Sequence, residues 1–273
     1  MYEAYYGLVE KPFTILPDPD MIYWSQHHRL AYAMLEYGVL NQAGFTVITG
    51  DVGSGKTTLV RRLMRRLDDS FTIGFVSNTG AHSRELLRWV MLALDQPYEH
   101  ASYLDVFNSF QHFVVQEYNH GRRTLLIIDE AQNMAVDALE ELRMLSNINA
   151  DKHQLVQLIL VGQPQLKSLL QRPELEQFAQ RISSDFHLRP LPQHEVAEYV
   201  NFRLECAGAR DPIFQPEAIA LIGRASGGIP RKINILCDAA LVYGFASDSR
   251  QIGSGIVDAV LEDKREFGVF STA

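Results

Sequence analysis

Short apolar runs alternate with amphipathic stretches along the first 190 residues, and that alternation sets the expected architecture. Runs of aliphatic and β-branched residues predict strands at Phe45–Gly50, Thr72–Ser77, Thr124–Asp129, Leu155–Gly162 and Ser184–Leu188. Between them apolar positions recur every three to four residues, the period of a helix with one buried face. This places helices near Arg29–Gln42, Thr57–Leu67, Ser83–Leu94, Tyr103–His120, Val136–Ser146 and Pro164–Leu170. Strand and helix in alternation predict an α/β fold around a parallel five-stranded sheet. After Pro190-Leu191-Pro192 the strand signal stops, and helical patterns follow near Gln193–Ala207, Pro216–Ala225, Pro230–Phe245 and Ser254–Asp263. The two prolines mark a hinge. The expected domains are an α/β body over residues 1–190 and a small all-helical lid over 191–273.

Composition narrows the picture without redrawing it. A hydrophobic fraction of 47% in 273 residues supports a sizeable core. The two cysteines, Cys206 and Cys237, cannot frame a disulfide scaffold, and both sit in apolar helical patterns that predict buried, reduced thiols. No apolar stretch reaches the roughly 18 residues a membrane span needs, and Met1-Tyr2-Glu3-Ala4 is unlike a basic signal peptide. A soluble, cytoplasmic chain is expected, with peripheral attachment at the inner face of the cell membrane as a variant. The net charge of −8 argues against a general nucleic-acid binder. The one dense basic cluster is Arg61, Arg62, Arg65 and Arg66 on the second predicted helix. It is either a solvated face or a contact with a neighbouring subunit or acidic partner.

The chemistry begins at Gly50-Asp51-Val52-Gly53-Ser54-Gly55-Lys56-Thr57-Thr58, which fits the phosphate-loop pattern G-x-x-x-x-G-K-[ST] at every fixed position. It lies between a predicted strand and a predicted helix, the setting such a loop requires. Glycines let the backbone N–H groups turn inward as an anion nest, and the helix adds its positive end. Lys56 is expected on the β- and γ-phosphates of ATP, and the Thr57 hydroxyl on Mg²⁺. The apolar strand Thr124–Ile128 ends in Asp129-Glu130, putting two carboxylates where α/β proteins bind ligands. Asp129 is the Mg²⁺ candidate beside Thr57, and Glu130 the base for the attacking water. Asn78 and Gln163 follow other strands. The first is a candidate to hold Glu130 by a hydrogen bond, the second to touch the γ-phosphate or the water, and either also reads as an ordinary loop cap. Two arginines are candidates to meet charge in the transition state. Arg181 precedes the last strand. Arg231 projects from a helix start in Gly227-Gly228-Ile229-Pro230-Arg231-Lys232-Ile233-Asn234.

The phosphate loop, Asp129-Glu130-Ala131-Gln132, Gly162-Gln163-Pro164 and the Gly-Gly-Ile-Pro-Arg-Lys-Ile-Asn segment resemble those of an AAA+ ATPase. The opening Tyr5-Tyr6-Gly7-Leu8, Lys11-Pro12-Phe13 and Pro17-Asp18-Pro19, with Glu140-Glu141-Leu142-Arg143-Met144-Leu145-Ser146-Asn147, is similar to secretion-type ATPases related to general secretion pathway protein A. Within them it looks most like the group found with exosortase and exopolysaccharide loci. The resemblance implies a P-loop AAA+ domain with a helical lid, Gly50 to Thr58 as Walker A, and Asp129 and Glu130 as Walker B. It implies Gln163 as sensor 1, Arg231 as sensor 2, and Arg181 as an arginine finger acting on a neighbour's nucleotide. Leu8, Pro12 and Phe13 would lie beside the adenine. The implied activity is ATP hydrolysis that drives or regulates assembly of an envelope secretion or exopolysaccharide export system. The implied partners are further copies of the chain in an ATP-dependent oligomer, and proteins of that system. The alternative is a nucleic-acid-linked regulator of transposition or initiator type. Relatives continue into a membrane span and a wall-binding domain; the sequence here stops at Ala273, and neither feature is carried over.

Overall fold

The computed structural model describes residues 1–77, 83–99, 101–150 and 153–267. In chain order the first elements are α1 (Glu3–Tyr6), α2 (Gln26–Leu40), β1 (Phe45–Gly50), α3 (Lys56–Arg66), β2 (Phe71–Val76), α4 (Ser83–Ala93), α5 (Tyr103–Asn119) and β3 (Arg123–Ile128). Then come α6 (Val136–Leu145), β4 (Asn149–Ala150), β5 (His153–Gln154), β6 (Val156–Gly162), α7 (Pro164–Leu170), α8 (Glu176–Ala179) and β7 (Ile182–Leu188). Four helices close the chain: α9 (Gln193–Cys206), α10 (Pro216–Ser226), α11 (Pro230–Ala246) and α12 (Ser254–Glu266). They form two compact units, one of residues 30–50 and 59–188, the other of residues 1–29, 51–58 and 189–273.

The first unit is built on a five-stranded sheet in the order β2-β3-β6-β1-β7, parallel throughout. Strand composition explains the order. Every residue of β1 and β6 is buried, as a strand covered on both faces requires, whereas β7 at one edge alternates between buried and open positions. Because the strands are parallel, their carboxyl ends share one edge, where Gly50, Ile128 and Gly162 stand. Helices cover both faces. Phe178 meets Phe45 with ring centroids 4.4 Å apart, and burial of one such ring contributes about 2–3 kcal/mol. The start of α5 is a capping box: the Ser102 hydroxyl accepts from Asp105 N–H while the Asp105 carboxylate accepts from Ser102 N–H. Past its end, Arg122 grips Glu117 with two hydrogen bonds of 2.7 and 2.6 Å, and the Thr72 hydroxyl of β2 donates to the same carboxylate. Arg122, foremost, holds the Glu117 carboxyl down at about 2. The short antiparallel pair β4–β5 and the helix α8 were not anticipated from the pattern.

In the second unit α9 to α12 pack around a core that includes Val196, Val200, Ile222, Ile233, Leu241 and Val257. The N-terminal segment supplies Tyr2, Leu8 and Phe13 to the same core. Gly228, at φ +74°, lies so close to the chain that a Cβ there would sit 2.0 Å from the Leu191 carbonyl oxygen. Only glycine closes the turn between α10 and α11 in that geometry. Cys237 is buried as expected, but Cys206 is exposed. The buried stripe of α9 runs Val196, Tyr199, Val200, Arg203, Leu204 and continues to Ala207; Cys206 misses it by one residue and points outward. Among the described residues no helix is long and apolar enough to cross a membrane.

Candidate functional site

The phosphate loop belongs to the helical unit and is held there by named contacts. Gly53 and Gly55 have φ of +79° and +103°, a left-handed region other residues rarely adopt. A Cβ on Gly53 would fall 2.3 Å from the Arg231 Cβ, and the Arg231 N–H donates to the Gly53 carbonyl at 3.2 Å. Arg231, the second residue of α11, therefore stands against the loop, with its side chain exposed. The Lys56 ammonium, 7% exposed, donates to the Asp51 carbonyl at 2.8 Å, inside the turn of the loop. The Ser54 hydroxyl is fully buried without a hydrogen-bond partner. Thr57 and Thr58 fall in the first turn of α3. Left-handed glycines, an inward lysine and a helix start are the donor set a triphosphate needs, and these residues fit it.

One residue of this cradle was not singled out in the sequence. His28, 6% exposed, bridges the N-terminal segment to the loop: its Nε2 lies 3.1 Å from the Ser54 carbonyl and its Nδ1 2.7 Å from the Ser25 hydroxyl. A carbonyl can only accept, so Nε2 carries the proton and Nδ1 accepts from Ser25, whose oxygen takes the His28 backbone N–H. Burial pushes the imidazole below its ordinary 6.5, which keeps this neutral arrangement at physiological pH. The substitution His28→Phe keeps bulk but loses the donor. ATP affinity is expected to fall roughly two- to tenfold, the value of one such hydrogen bond, as read by calorimetric titration. Because the folded pKa is depressed, the wild type is expected to lose stability as pH falls below 6.5 while the variant lacks that component of the loss. Melting curves at pH 7.5 and 5.5 check the sign.

Leu8, Pro12 and Phe13 are buried in the helical core. Phe13 meets Phe214 edge to face at 6.0 Å. Two buried polar residues tie their backbone down. Arg203 donates from Nε to the Pro12 carbonyl at 2.7 Å, and Asn234 from Nδ2 to the Thr14 carbonyl at 2.9 Å. Asn234 is itself oriented by the Tyr199 hydroxyl at 2.7 Å.

In the sheet unit, the carboxyl edge carries the acids. Asp129 follows β3 and is 7% exposed; its carboxylate accepts from Glu130 N–H at 2.9 Å. Glu130 is exposed and lies in the left-handed region at φ +54°, a position costing a non-glycine residue about 1–2 kcal/mol. Two amides hold its carboxylate: Gln132 Nε2 donates to Oε2 at 2.6 Å and Gln163 Nε2 to the same oxygen at 3.2 Å. Gln132 in turn accepts from Gln163 N–H at 2.9 Å, which closes the group. Asn78, expected to hold Glu130, lies outside the described residues. Gln132 was visible only as part of Asp-Glu-Ala-Gln; its role needed β6 to be known as the neighbour of β3.

Arg181 is at the other edge. It precedes Ile182, which pairs with Phe45 at the amino end of β1. A strand of this length puts it about 20 Å from the carboxyl edge. Its guanidinium donates to the Ser146 hydroxyl at 3.1 Å, and Ser146 donates to the Arg143 carbonyl at 2.7 Å. On α3, Arg66 pairs with Glu36 of α2 at 3.5 Å, and Arg61 and Arg65 are exposed. That pairing fits the solvated-face reading for part of the cluster.

Residues 39–170 match the family model for an AAA domain. The chain is 40% identical over 256 residues to general secretion pathway protein A of Aeromonas hydrophila; the match covers 93% of this chain and 47% of that protein, so the chain spans about half its length. In fold it is similar to the ORC2 protein of Aeropyrum pernix, with a TM-score of 0.66 at 20% identity over 89% of this chain and 70% of that one. Cdc6p of Pyrobaculum aerophilum gives a TM-score of 0.70 at 16% identity, covering 90% and 69%. The RuvB branch migration motor of Thermotoga maritima gives 0.59 at 17%, covering 91% and 73%. The chain is an ATPase built on the P-loop AAA fold, its AAA domain running from residue 39 to residue 170.

Proposed function

We propose that this ATPase drives or regulates assembly of an envelope secretion or exopolysaccharide export system, acting as an ATP-dependent oligomer on the cytoplasmic side. The single observation behind the secretion reading is the 40% identity to general secretion pathway protein A across 93% of the chain. The exopolysaccharide refinement rests on the sequence resemblance alone.

In this proposal the loop and the acids act on one nucleotide, as the sequence resemblance implies. Gly50, Gly53, Ser54, Gly55 and Thr58 shape the phosphate cradle, and Lys56 neutralises the β- and γ-phosphates. Thr57 and Asp129 would hold Mg²⁺. Such an ion would keep waters and phosphate oxygens as its further ligands. When bound, the ion would neutralise developing phosphate charge. Glu130 orients and deprotonates the attacking water. Gln132 and Gln163 restrain that carboxylate and set how far it can turn. Arg231 reads the nucleotide from the loop side, and Arg181 serves a neighbouring subunit. Asn78 as a further contact to Glu130, and the segment Leu8, Pro12 and Phe13 on the adenine side, remain part of the proposal.

The second reading, a nucleic-acid-linked regulator, is favoured by fold likeness to ORC, Cdc6 and RuvB proteins, all 20% identical or less. The net charge of −8 opposes it. A titration of duplex DNA against the ATP-loaded chain separates the two. Weak binding that disappears at near-physiological salt is expected, since few phosphates would be neutralised. Submicromolar, salt-resistant binding would replace the secretion reading.

A further inference from the structure

Away from the nucleotide residues, the sheet unit carries a cleft of about 740 Å³ lined from α4, α5 and α6. Its volume is in the range of sites that enclose ligands, about 300–1,000 Å³. Glu85 and Arg88 come from α4, Tyr103 and Val106 from α5, and Asp137, Glu141 and Met144 from α6. The α6 residues are spaced i, i+4, i+7 and share one face. At the bottom is Glu141, only 4% exposed, whose carboxylate makes no well-formed hydrogen bond and has the Tyr103 hydroxyl as its nearby donor. A buried carboxylate met by no cation and by a single hydroxyl is costly, and natural proteins rarely retain one unless something else meets it. Three acids line the cleft against one cation, Arg88, which donates from Nη2 to the Ala101 carbonyl at 3.1 Å. The rim is open and mixed, with Glu85, Arg88 and Asp137 exposed beside apolar surface. Tyr103 is 42% and Met144 46% exposed, and Trp89 and Leu92 continue an exposed apolar face along α4. A small amine would leave the apolar part of that rim uncovered; a protein segment covers it.

We propose that this cleft docks a partner protein by taking in a lysine or arginine side chain flanked by apolar residues, with Glu141 as its counter-charge and the ring of Tyr103, Val106 and Met144 along its stem. The charge complementarity and the exposed rim both call for such a segment. The condition of Glu141 agrees. Burial first and Asp137 second raise its carboxyl to about 7, against a smaller lowering by the nearby Tyr103 hydroxyl. The charged and titratable groups facing it are Asp137 on its own helix, Tyr103 on α5, and Glu85 and Arg88 on α4. A cation entering the cleft would shift it to the ionised form.

The test uses the full chain and two probes, acetyl-Leu-Arg-Leu-amide and its norleucine counterpart, with the Met144 methyl followed by NMR after assignment through Met144→Leu. The arginine peptide is expected to shift that methyl and to bind at least about tenfold more tightly than the norleucine peptide. Glu141→Gln keeps the shape and removes the charge, so it should lose about tenfold in affinity while melting normally and hydrolysing ATP at the wild-type rate. For the wild type the arginine peptide should bind up to about tenfold more tightly at pH 8 than at pH 6, as the carboxyl ionises across about 7. For Glu141→Gln the two values should agree. The proposal fails if both peptides bind alike, if Glu141→Gln binds as the wild type does, or if the methyl never moves at millimolar peptide. It also fails if agmatine binds as tightly as the peptide, which would make this a small-amine site. A methyl shift that follows protein concentration alone would assign the cleft to a second copy of the chain and overturn it too.

Discussion

Glu130→Gln is expected to bind ATP and keep it, with turnover reduced by about 10²–10⁴-fold, the usual contribution of a positioned general base. The glutamine preserves volume but cannot take a proton from water. Gln132 and Gln163 now donate to Glu130 Oε2, and both amides can still donate to a glutamine carbonyl, so the local fold should survive. Single-turnover hydrolysis beside nucleotide-binding measurements separates the steps. Wild-type turnover in this variant would remove Glu130 from the reaction. Lys56→Ala is the matching control, losing both affinity and turnover because the phosphates lose their cation. Proteins that co-purify with the ATP-locked Glu130→Gln form, and not with Lys56→Ala, are the direct readout of the proposed partners.

The second large effect concerns Arg181. Placed at the amino end of β7, it is about 20 Å from the edge that carries its own chain's Glu130. If it stabilises transition-state charge, it does so in a neighbour, through a head-to-tail interface that closes into a ring or runs as a helix. Arg181→Ala should therefore bind ATP but hydrolyse it about 10²–10³-fold more slowly, the loss expected for one such donor. Mixing it with Lys56→Ala should restore part of the activity, because one subunit supplies the intact phosphate site and the next supplies the arginine. Ser146→Ala removes the same internal hydrogen bond but leaves the guanidinium, and it should stay active. A mixture as inactive as its components, shown to co-assemble, would refute the shared site.

The sheet was readable in detail because its strands announce themselves. β1 was expected at Phe45–Gly50 and is found there, and β3 and β6 lie within a residue of their expected bounds. Continuous burial forces continuous apolar runs, and those are visible one residue at a time. The edge strand β7 was harder. It begins at Ile182, two residues before the expected Ser184, because half of its positions face outward and carry Ser, Asp and His. Cys206 was misread for a related reason: an apolar neighbourhood in sequence is not the same as the buried stripe of a helix, and one residue of phase moves a side chain by about 100°.

From the sequence alone came the identity of the chemistry: a phosphate loop between strand and helix, two acids closing a buried strand, and candidate arginines in order along the chain. Those signals are local, since each depends on residue types within a few positions of one another. What only the tertiary structure decided is which distant groups meet. Strand order brought Gln132 and Gln163 together on Glu130, sent Arg181 to the opposite edge from the acids, and placed the buried Glu141 at the foot of a cleft. Chain return from far away set His28 against the loop at Ser54 and committed Leu8 and Phe13 to a helical core that starts almost two hundred residues later. Periodicity records only whether a side chain is buried. The partner it is buried against follows from the crossover connections and from packing, and no spacing along the chain encodes that.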